Sequence, residues 1–179
     1  MSDRQEQSSG HASFVQQGIW LNELRGEMHD AYHLPFTLSF DGELNTASIL
    51  TACTAMLGRH CVLAQAFNER DGLAYVLAAE HAPRVGQADL SGLPFGQREP
   101  ELKDQIRRSI QWPFDLRKGP LMRMTLYSLG PSRHVLLVVA HHLIFDGLSM
   151  EIFTRDLLRL YELAVSGCPF TGALRATRR

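Results

Sequence analysis

The sequence has few cysteines and no long hydrophobic run, and each shortage excludes a class of protein. Its three cysteines, Cys53, Cys61 and Cys168, are too few and too scattered for a disulfide framework, and no CxxC pair is present for zinc. The longest apolar run, residues 135–140, is far too short to cross a membrane. Residues 1–10 are polar and lack the apolar centre of a signal peptide. We therefore expect a protein of the reducing cytoplasm without a membrane partner.

The chain also lacks an excess of charge of either sign. Lys and Arg number 18 against 19 Asp and Glu, which gives a formal net charge of −1. Nucleic-acid binders normally carry a basic excess, so no nucleic-acid partner is expected. In contrast, 45% of the 179 residues are hydrophobic. That is enough apolar surface for one domain to form a core without disulfides or a metal.

Hydrophobic periodicity divides the chain into helices and strands. Residues 134–140 form a nearly continuous apolar run, which is typical of a strand buried on both faces and central in its sheet. The pattern predicts an α+β fold in which helices pack on one side of a mainly antiparallel or mixed sheet. The predicted helices are 14–32, 45–60, 101–111 and 147 onward, the predicted strands are 36–40, 62–68, 73–79, 121–129 and 134–140, and 82–100 is predicted as a loop.

The same pattern predicts the domain organisation. Residues 1–12 are polar and are expected to be a flexible lead-in, and residues 168–179 have no periodicity and are expected to be a tail or linker. One lobe is therefore predicted from residue 13 to residue 167.

Two adjacent histidines, His141 and His142, follow the buried strand and precede Asp146 and Gly147 at the start of a predicted helix. Burial disfavours the imidazolium ion, so a histidine at this place tends to stay neutral and able to accept a proton. In an extended chain the two rings point to opposite sides, so one is expected to face a cleft and the other to pack inward. Asp146 is expected to cap the helix or to join a local charge network, and Gly147 to permit close approach of another chain or a substrate.

Two other interpretations of this segment remain open. A buried histidine is often only a core residue whose ring nitrogens are hydrogen-bonded and which has no further role. Two histidines and Asp146 are also possible metal ligands, but adjacent histidines on opposite faces rarely bind one ion, so no metal is expected.

The segment from His141 to Ser149 resembles the HHxxxDGxS signature of nonribosomal peptide synthetase condensation domains. Its HHxxxDG core is shared by related acyltransferases such as chloramphenicol acetyltransferase. Four more segments resemble the family's motifs, in the family's order: residues 13–20 resemble SxAQxR(L/M)W, 31–35 AYNIP, 59–67 RHExLRTxF and 113–121 PFDLxxGPL. The chain is thus similar to the amino-terminal lobe of a condensation domain, which implies a chloramphenicol-acetyltransferase-like fold.

The resemblance implies formation of an amide bond between acyl or aminoacyl thioesters carried on the phosphopantetheine arms of carrier proteins. It implies that His142 is the catalytic residue, either as general base on the acceptor amine or by positioning it. His141, Asp146 and Gly147 are implied to support this residue. Carrier proteins are the implied partners, together with the carboxy-terminal lobe of a condensation domain or other synthetase domains. No metal or tightly bound cofactor is implied.

The sequence departs from the family at Gly18, Cys61 and Ala64, where the motifs have Arg, Glu and Arg. The second of these arginines is expected to pair with the Asp of HHxxxDG, so Asp146 is predicted to find another donor or to lie nearer water. The family's later motifs do not follow Pro169, so the chain is expected to be inactive without a second lobe. Two alternatives remain: a non-catalytic half-lobe that docks a carrier protein or neighbouring synthetase domain, or a self-trimerising acetyltransferase-like enzyme. The last would make the protein a homo-oligomer.

Overall fold

The structure is a computed structural model and describes residues 10–26 and 30–168. Its helices are α1 (Phe14–Arg25), α2 (Thr46–Arg59), α3 (Phe95–Gln111) and α4 (Gly147–Val165), and a 3₁₀ turn spans Cys61–Ala64. Its strands are β1 (His33–Asp41), β2 (Gln65–Arg70), β3 (Leu73–Ala78), β4 (Val85–Asp89), β5 (Met122–Gly130) and β6 (Arg133–His141). Residues 1–9 of the predicted lead-in and 169–179 of the predicted tail lie outside the described residues.

The main sheet is mixed and has the strand order β1-β6-β5-β4, while β2 and β3 form a separate hairpin. Strand β6 runs antiparallel to both of its neighbours, and β4 runs parallel to β5. The strand predicted to be central is therefore central. It is buried from His134 to His141 because its two faces belong to two different hydrophobic clusters.

The two faces of the sheet are covered by different helices. Leu136 and Val138 of β6 belong to a cluster that contains the buried apolar residues of α2 and α4. Leu137 and Val139 point the other way, into a cluster with Leu102 of α3. The expectation that helices cover only one side of the sheet is thus wrong. A strand that is apolar at every position has to be covered on both faces, and α3 provides the second layer.

Helix α2 begins at the residue that the sequence predicts. The side-chain oxygen of Asn45 accepts a hydrogen bond from the backbone N–H of Ser48 at 3.0 Å, which satisfies a donor that the first turn leaves without a helical partner. Ile49, Cys53 and Met56 follow on the buried face of the helix. Cys53 is fully buried in the core, and burial raises the pKa of its thiol to about 12.

Helix α1 is shorter than the predicted helix 14–32. It ends at Arg25 because Gly26 adopts a left-handed conformation (φ 71°), which glycine reaches at little cost and which interrupts the helical path. Met28, which the apolar pattern assigns to this helix, lies outside the described residues. The chain then enters β1, an edge strand that accommodates Pro35.

The predicted loop 82–100 contains a strand and the beginning of a helix. Strand β4 has five residues, includes Gly86, and is half exposed, so it carries no alternating apolar signal. Helix α3 begins at Phe95 and continues through Pro100, although the sequence predicts a loop there. The side chain of Arg98 stabilises this first part by donating hydrogen bonds to the carbonyl groups of Ser91, Leu93 and Leu129.

The predicted strands 62–68 and 73–79 pair as an antiparallel hairpin, but the first of them starts later than expected. Residues 62–64 belong to the 3₁₀ turn, and β2 begins at Gln65. The turn between the two strands is formed by Asp71 and Gly72, which both have positive φ, at 54° and 77°. Two left-handed residues are what a tight two-residue hairpin turn requires.

Candidate functional site

The two adjacent histidines lie at the end of β6 and differ in exposure. His141 is the last residue of the strand and is 1% exposed, whereas His142 is half-buried. In the ladder, His141 lies directly opposite His33 of β1. The strand end thus directs one ring into the interior and leaves the other partly accessible.

Hydrogen bonds define the tautomer of His141. Its Nδ1 accepts the backbone N–H of Leu143 at 3.2 Å, so the proton of the neutral ring is on Nε2. That Nε2–H donates to Oε1 of Glu23, also at 3.2 Å. Burial lowers the pKa of His141 to about 3, and the neighbouring His33 and His142 act in the same direction. The ring is therefore neutral near pH 7 and connects α1 to the loop after β6.

His142 is restrained through its backbone rather than through its ring. Its backbone N–H donates to the carbonyl of Tyr32 at 2.9 Å. Among residues 10–26 and 30–168, no group forms a hydrogen bond with the imidazole of His142. This ring therefore retains hydrogen-bonding capacity for a ligand, as a general base or a positioning group requires.

Asp146 caps helix α4. Its Oδ1 accepts hydrogen bonds from the backbone N–H and the hydroxyl of Ser149, at 2.7 and 2.6 Å. These bonds hold the pKa of the exposed carboxyl below its usual value, with a smaller effect from His142. Asp146 thus has both features that the sequence offered as alternatives, other donors and contact with water. Gly147 follows as the first residue of α4, where an added Cβ would meet no described atom within 4 Å.

His33 is a buried neighbour of the site to which the sequence assigned no role. Its Nδ1 lies 2.6 Å from the carbonyl oxygen of Ile110, so Nδ1 carries a proton and donates it. Its ring meets those of Phe114 and His141 edge-on, with centroids 4.9 and 6.0 Å apart. Burial lowers the pKa of His33. Sequence reasoning missed it because the contact with His141 depends on the β1–β6 register.

Two side chains of α1 also contact this loop. Gln16 donates from Nε2 to the carbonyl of Leu143 at 2.8 Å, and Glu23 accepts from His141. Gln16 matches the first family motif, but nothing in the sequence links it to the histidines. Sequence reasoning missed Glu23 altogether, although the spacing of seven residues places both side chains on one helical face.

An apolar cavity of about 390 Å³ lies beside the loop, between α2 and α4. A cavity of this size and composition suits the apolar part of a small ligand. At its edge, Nε2 of His60 lies 3.6 Å from Oδ2 of the buried Asp156. The cavity is lined by Met56, His60, Val62, Leu63, Ile144, Phe145, Leu148, Ser149, Ile152 and Phe153.

The described residues offer neither a metal cluster nor a membrane-spanning helix. Residues 10–26 and 30–168 contain no group of three or more His, Cys, Asp or Glu side chains placed to hold a metal ion. No helix in the same part of the chain is both long enough and apolar enough to cross a membrane.

Comparison with known sequences gives a family match over most of the chain. The model described as "Condensation domain" matches residues 6–172. Malpinin synthetase from Mortierella alpina is 31% identical over 156 residues, which are 87% of this chain and 2% of that protein. A dimodular nonribosomal peptide synthase from Bacillus subtilis is 30% identical over 158 residues, or 87% of this chain and 6% of that protein. The chain thus spans a small fraction of these relatives.

Comparison with solved structures gives the same fold. The starter condensation domain of rhizomide synthetase RzmA superposes with a TM-score of 0.81 at 19% identity, over 91% of this chain and 40% of that one. For VibH, an NRPS condensation enzyme, the TM-score is 0.80 at 24% identity, over 91% of this chain and 37% of that one. The expected α+β, chloramphenicol-acetyltransferase-like fold is confirmed.

Proposed function

The chain belongs to the condensation-domain family, and from this premise we propose that it is the amino-terminal lobe of an amide-forming domain in nonribosomal peptide synthesis. In the proposed reaction the acceptor amine attacks the carbonyl carbon of the donor thioester. A C–N bond forms, the C–S bond breaks, and the thiol of the donor's phosphopantetheine arm leaves. The thioester is already activated, so the chain needs no nucleophilic side chain of its own.

The observation that carries the proposal is the state of His142. Its backbone is restrained, its ring is half-buried, and its ring makes no hydrogen bond within residues 10–26 and 30–168. Such a ring can accept the proton that the amine loses, or orient the amine and stabilise its developing charge. A positioned base contributes about 10²–10⁴-fold to a rate. His142 is therefore the catalytic residue of the proposal.

The supporting residues have narrower roles in the proposal. His141 remains neutral and structural. Asp146 acts as a helix cap that orients the loop after His142. This role does not require the arginine that the family motif has at the position of Ala64. Gly147 leaves space where the substrate arms meet. The proposed lobe extends from residue 13 to residue 167.

Carrier proteins that present the phosphopantetheine arms are the proposed partners, and a carboxy-terminal lobe is the proposed other half of the cleft. The family works with carrier domains in nonribosomal peptide synthesis, and the chain spans about 40% of the solved domain from RzmA. We place this assembly in the cytoplasm, in line with the small number of cysteines.

The test combines the chain with a carboxy-terminal lobe and carrier proteins loaded with a panel of aminoacyl thioesters. Amide product should form with both lobes and be absent with this chain alone, because half of the cleft is then missing. In the complete assembly, His142→Ala should lower turnover by about 10²–10⁴-fold. Turnover by the chain alone, or an assembly that is indifferent to His142→Ala, would contradict the proposal.

One observation favours a second candidate, a half-lobe that docks a carrier protein without catalysis. Gly18 and Ala64 stand where the family motifs have arginine. The same experiment separates the two functions. A docking module binds the loaded carrier with an affinity that does not depend on His142, and it yields no amide product even when both lobes are present.

A further inference from the structure

Two polar side chains of α1 meet the backbone and ring on either side of His142. Gln16 and Glu23 are seven residues apart, which is about two helical turns, so both face the same way. Nε2 of Gln16 donates to the carbonyl of Leu143 at 2.8 Å. Oε1 of Glu23 accepts from Nε2 of His141 at 3.2 Å. Helix α1 thus contacts the residue before His142 and the residue after it.

These contacts add to the hydrogen bonds within a short loop. The backbone N–H of His142 is bonded to Tyr32, and the backbone N–H of Leu143 is bonded to Nδ1 of His141. These two bonds fix the direction of both peptide groups that flank His142, and Gln16 fixes the next peptide group, between Leu143 and Ile144. The ring itself remains unbonded within the described part of the chain.

We infer that Gln16 and Glu23 are positioning residues for His142. They act through Leu143 and His141 and keep the His142 ring pointed towards the place where the amine reacts. This inference rests on the proposed function of His142. A displacement of about 1 Å at a reacting group can cost about 10²-fold in rate, so restraint of this kind has a measurable effect.

A purely structural role for the pair is the competing explanation, and α1 contains its own control. Gln17 lies next to Gln16 but faces the hairpin, where it donates to the carbonyl of Ala74 at 2.7 Å and accepts from its N–H at 2.8 Å. Gln17→Leu therefore removes both hydrogen bonds to Ala74, and a longer one to the carbonyl of Ala12, without touching the histidine loop. If the pair only anchors the helix, Gln17→Leu should reproduce its effects.

The first experiment observes the histidine rings by nitrogen-detected NMR in the full chain. In the unaltered chain His141 should be the Nε2–H tautomer. Glu23→Leu and Gln16→Leu should shift or broaden the His142 ring signals. Glu23→Gln keeps an oxygen acceptor for His141 and should leave those signals in place, as should Gln17→Leu. The inference is overturned if Glu23→Leu leaves His142 unchanged, or if Gln17→Leu disturbs His142 equally.

The second experiment measures turnover with the carboxy-terminal lobe and the panel of carrier-bound thioesters. Glu23→Leu should lower kcat by about 10²-fold with little change in KM, and Glu23→Gln should restore most of it. An equal loss in Glu23→Gln and Glu23→Leu contradicts the inference. If the unaltered assembly makes no product, the proposed function fails, and the NMR comparison still decides whether the pair orients His142.

Discussion

A histidine that is 1% exposed and lies opposite a second buried histidine has to remain uncharged in the folded protein. His141 uses both nitrogens in this neutral state, Nδ1 as acceptor and Nε2–H as donor. Protonation would add a proton to Nδ1, in addition to the one on Nε2, and would remove the acceptor for the Leu143 N–H. Burial also lowers the pKa of His33, although the hydrogen bond from its Nδ1 to the Ile110 carbonyl acts in the opposite direction. The two buried rings therefore make the fold sensitive to acid.

We predict that stability falls as the pH is lowered from 7 to 5. The pKa of His141 is about 3 in the folded chain, against 6.5 when unfolded, so between these values the unfolded chain binds more protons. The contribution of neutral His141 to the free energy of unfolding is complete above pH 6.5 and decreases as the pH falls below it. Between pH 7 and pH 5 this decrease is about 2 kcal/mol. His33 adds to this loss in the same direction.

Urea unfolding at the two pH values measures this loss. His141→Gln should reduce the difference, because the residue that takes up the proton on unfolding is gone. The exposed His81 is the matched control, and His81→Gln should leave the difference unchanged. A wild-type free energy of unfolding that does not fall below pH 6.5 would contradict the neutral assignment of His141.

The cap at Asp146 gives a second prediction at the residue scale. Asp146→Ala removes the acceptor for both Ser149 groups and should destabilise the chain by about 1 kcal/mol. Asp146→Asn retains an oxygen acceptor at the cap and should cost only a small part of that. The free energy of unfolding in urea at neutral pH tests both variants. An equal cost for the two would show that the charge, rather than the cap, is what matters.

At the scale of elements, the sheet is stabilised from two sides, and α4 belongs to the larger of the two clusters. Leu157 and Leu158 are neighbours on this helix, but Leu157 is fully buried and Leu158 is 42% exposed. The two positions therefore separate core packing from helix propensity, because the same substitution changes propensity equally at both.

Leu157→Ala should lower the free energy of unfolding by about 2–5 kcal/mol, since it leaves a cavity in the cluster that α4 shares with α2 and the sheet. Leu158→Ala should change it by less than about 1 kcal/mol, because little apolar surface returns to water. Urea unfolding of the two variants under identical conditions makes the comparison. Similar losses at both positions would mean that α4 does not pack into this cluster through its Leu157 face.

The elements that sequence reasoning predicts correctly carry local signals. Asn45 and Asp146 are N-cap residues, and each is followed by a helix with an apolar face. The run 134–140 is apolar at every position after His134. Strand β4 cannot be predicted from its own residues, because they show no alternating apolar pattern. It is a strand because it pairs with β5. The site divides in the same way. The adjacent histidines are visible in the sequence, whereas Glu23 meets His141 across 118 residues and only the fold brings them together.

At the scale of the whole molecule, several large apolar side chains are exposed. Phe14 is 93% exposed on the helix that contacts the histidine loop, and Leu148 is exposed one residue after Gly147. Both lie in elements that flank His142. Phe95 is 87% exposed but lies at the start of α3, the helix that covers the other face of the sheet. Exposed apolar surface of this kind marks sites of association. In the proposed domain the second lobe covers the side that carries His142.

We predict that the chain alone self-associates through this side and that a carboxy-terminal lobe suppresses the association. Sedimentation velocity over a series of concentrations should show reversible growth of the sedimentation coefficient. Phe14→Ser should weaken the association, because it removes apolar surface from the side that the second lobe would cover. Phe95→Ser is the matched control: it changes the same residue type at a similar exposure and should leave the association intact. A monomer at every concentration would contradict the prediction, and a single symmetric trimer unaffected by the second lobe would favour the acetyltransferase-like alternative instead.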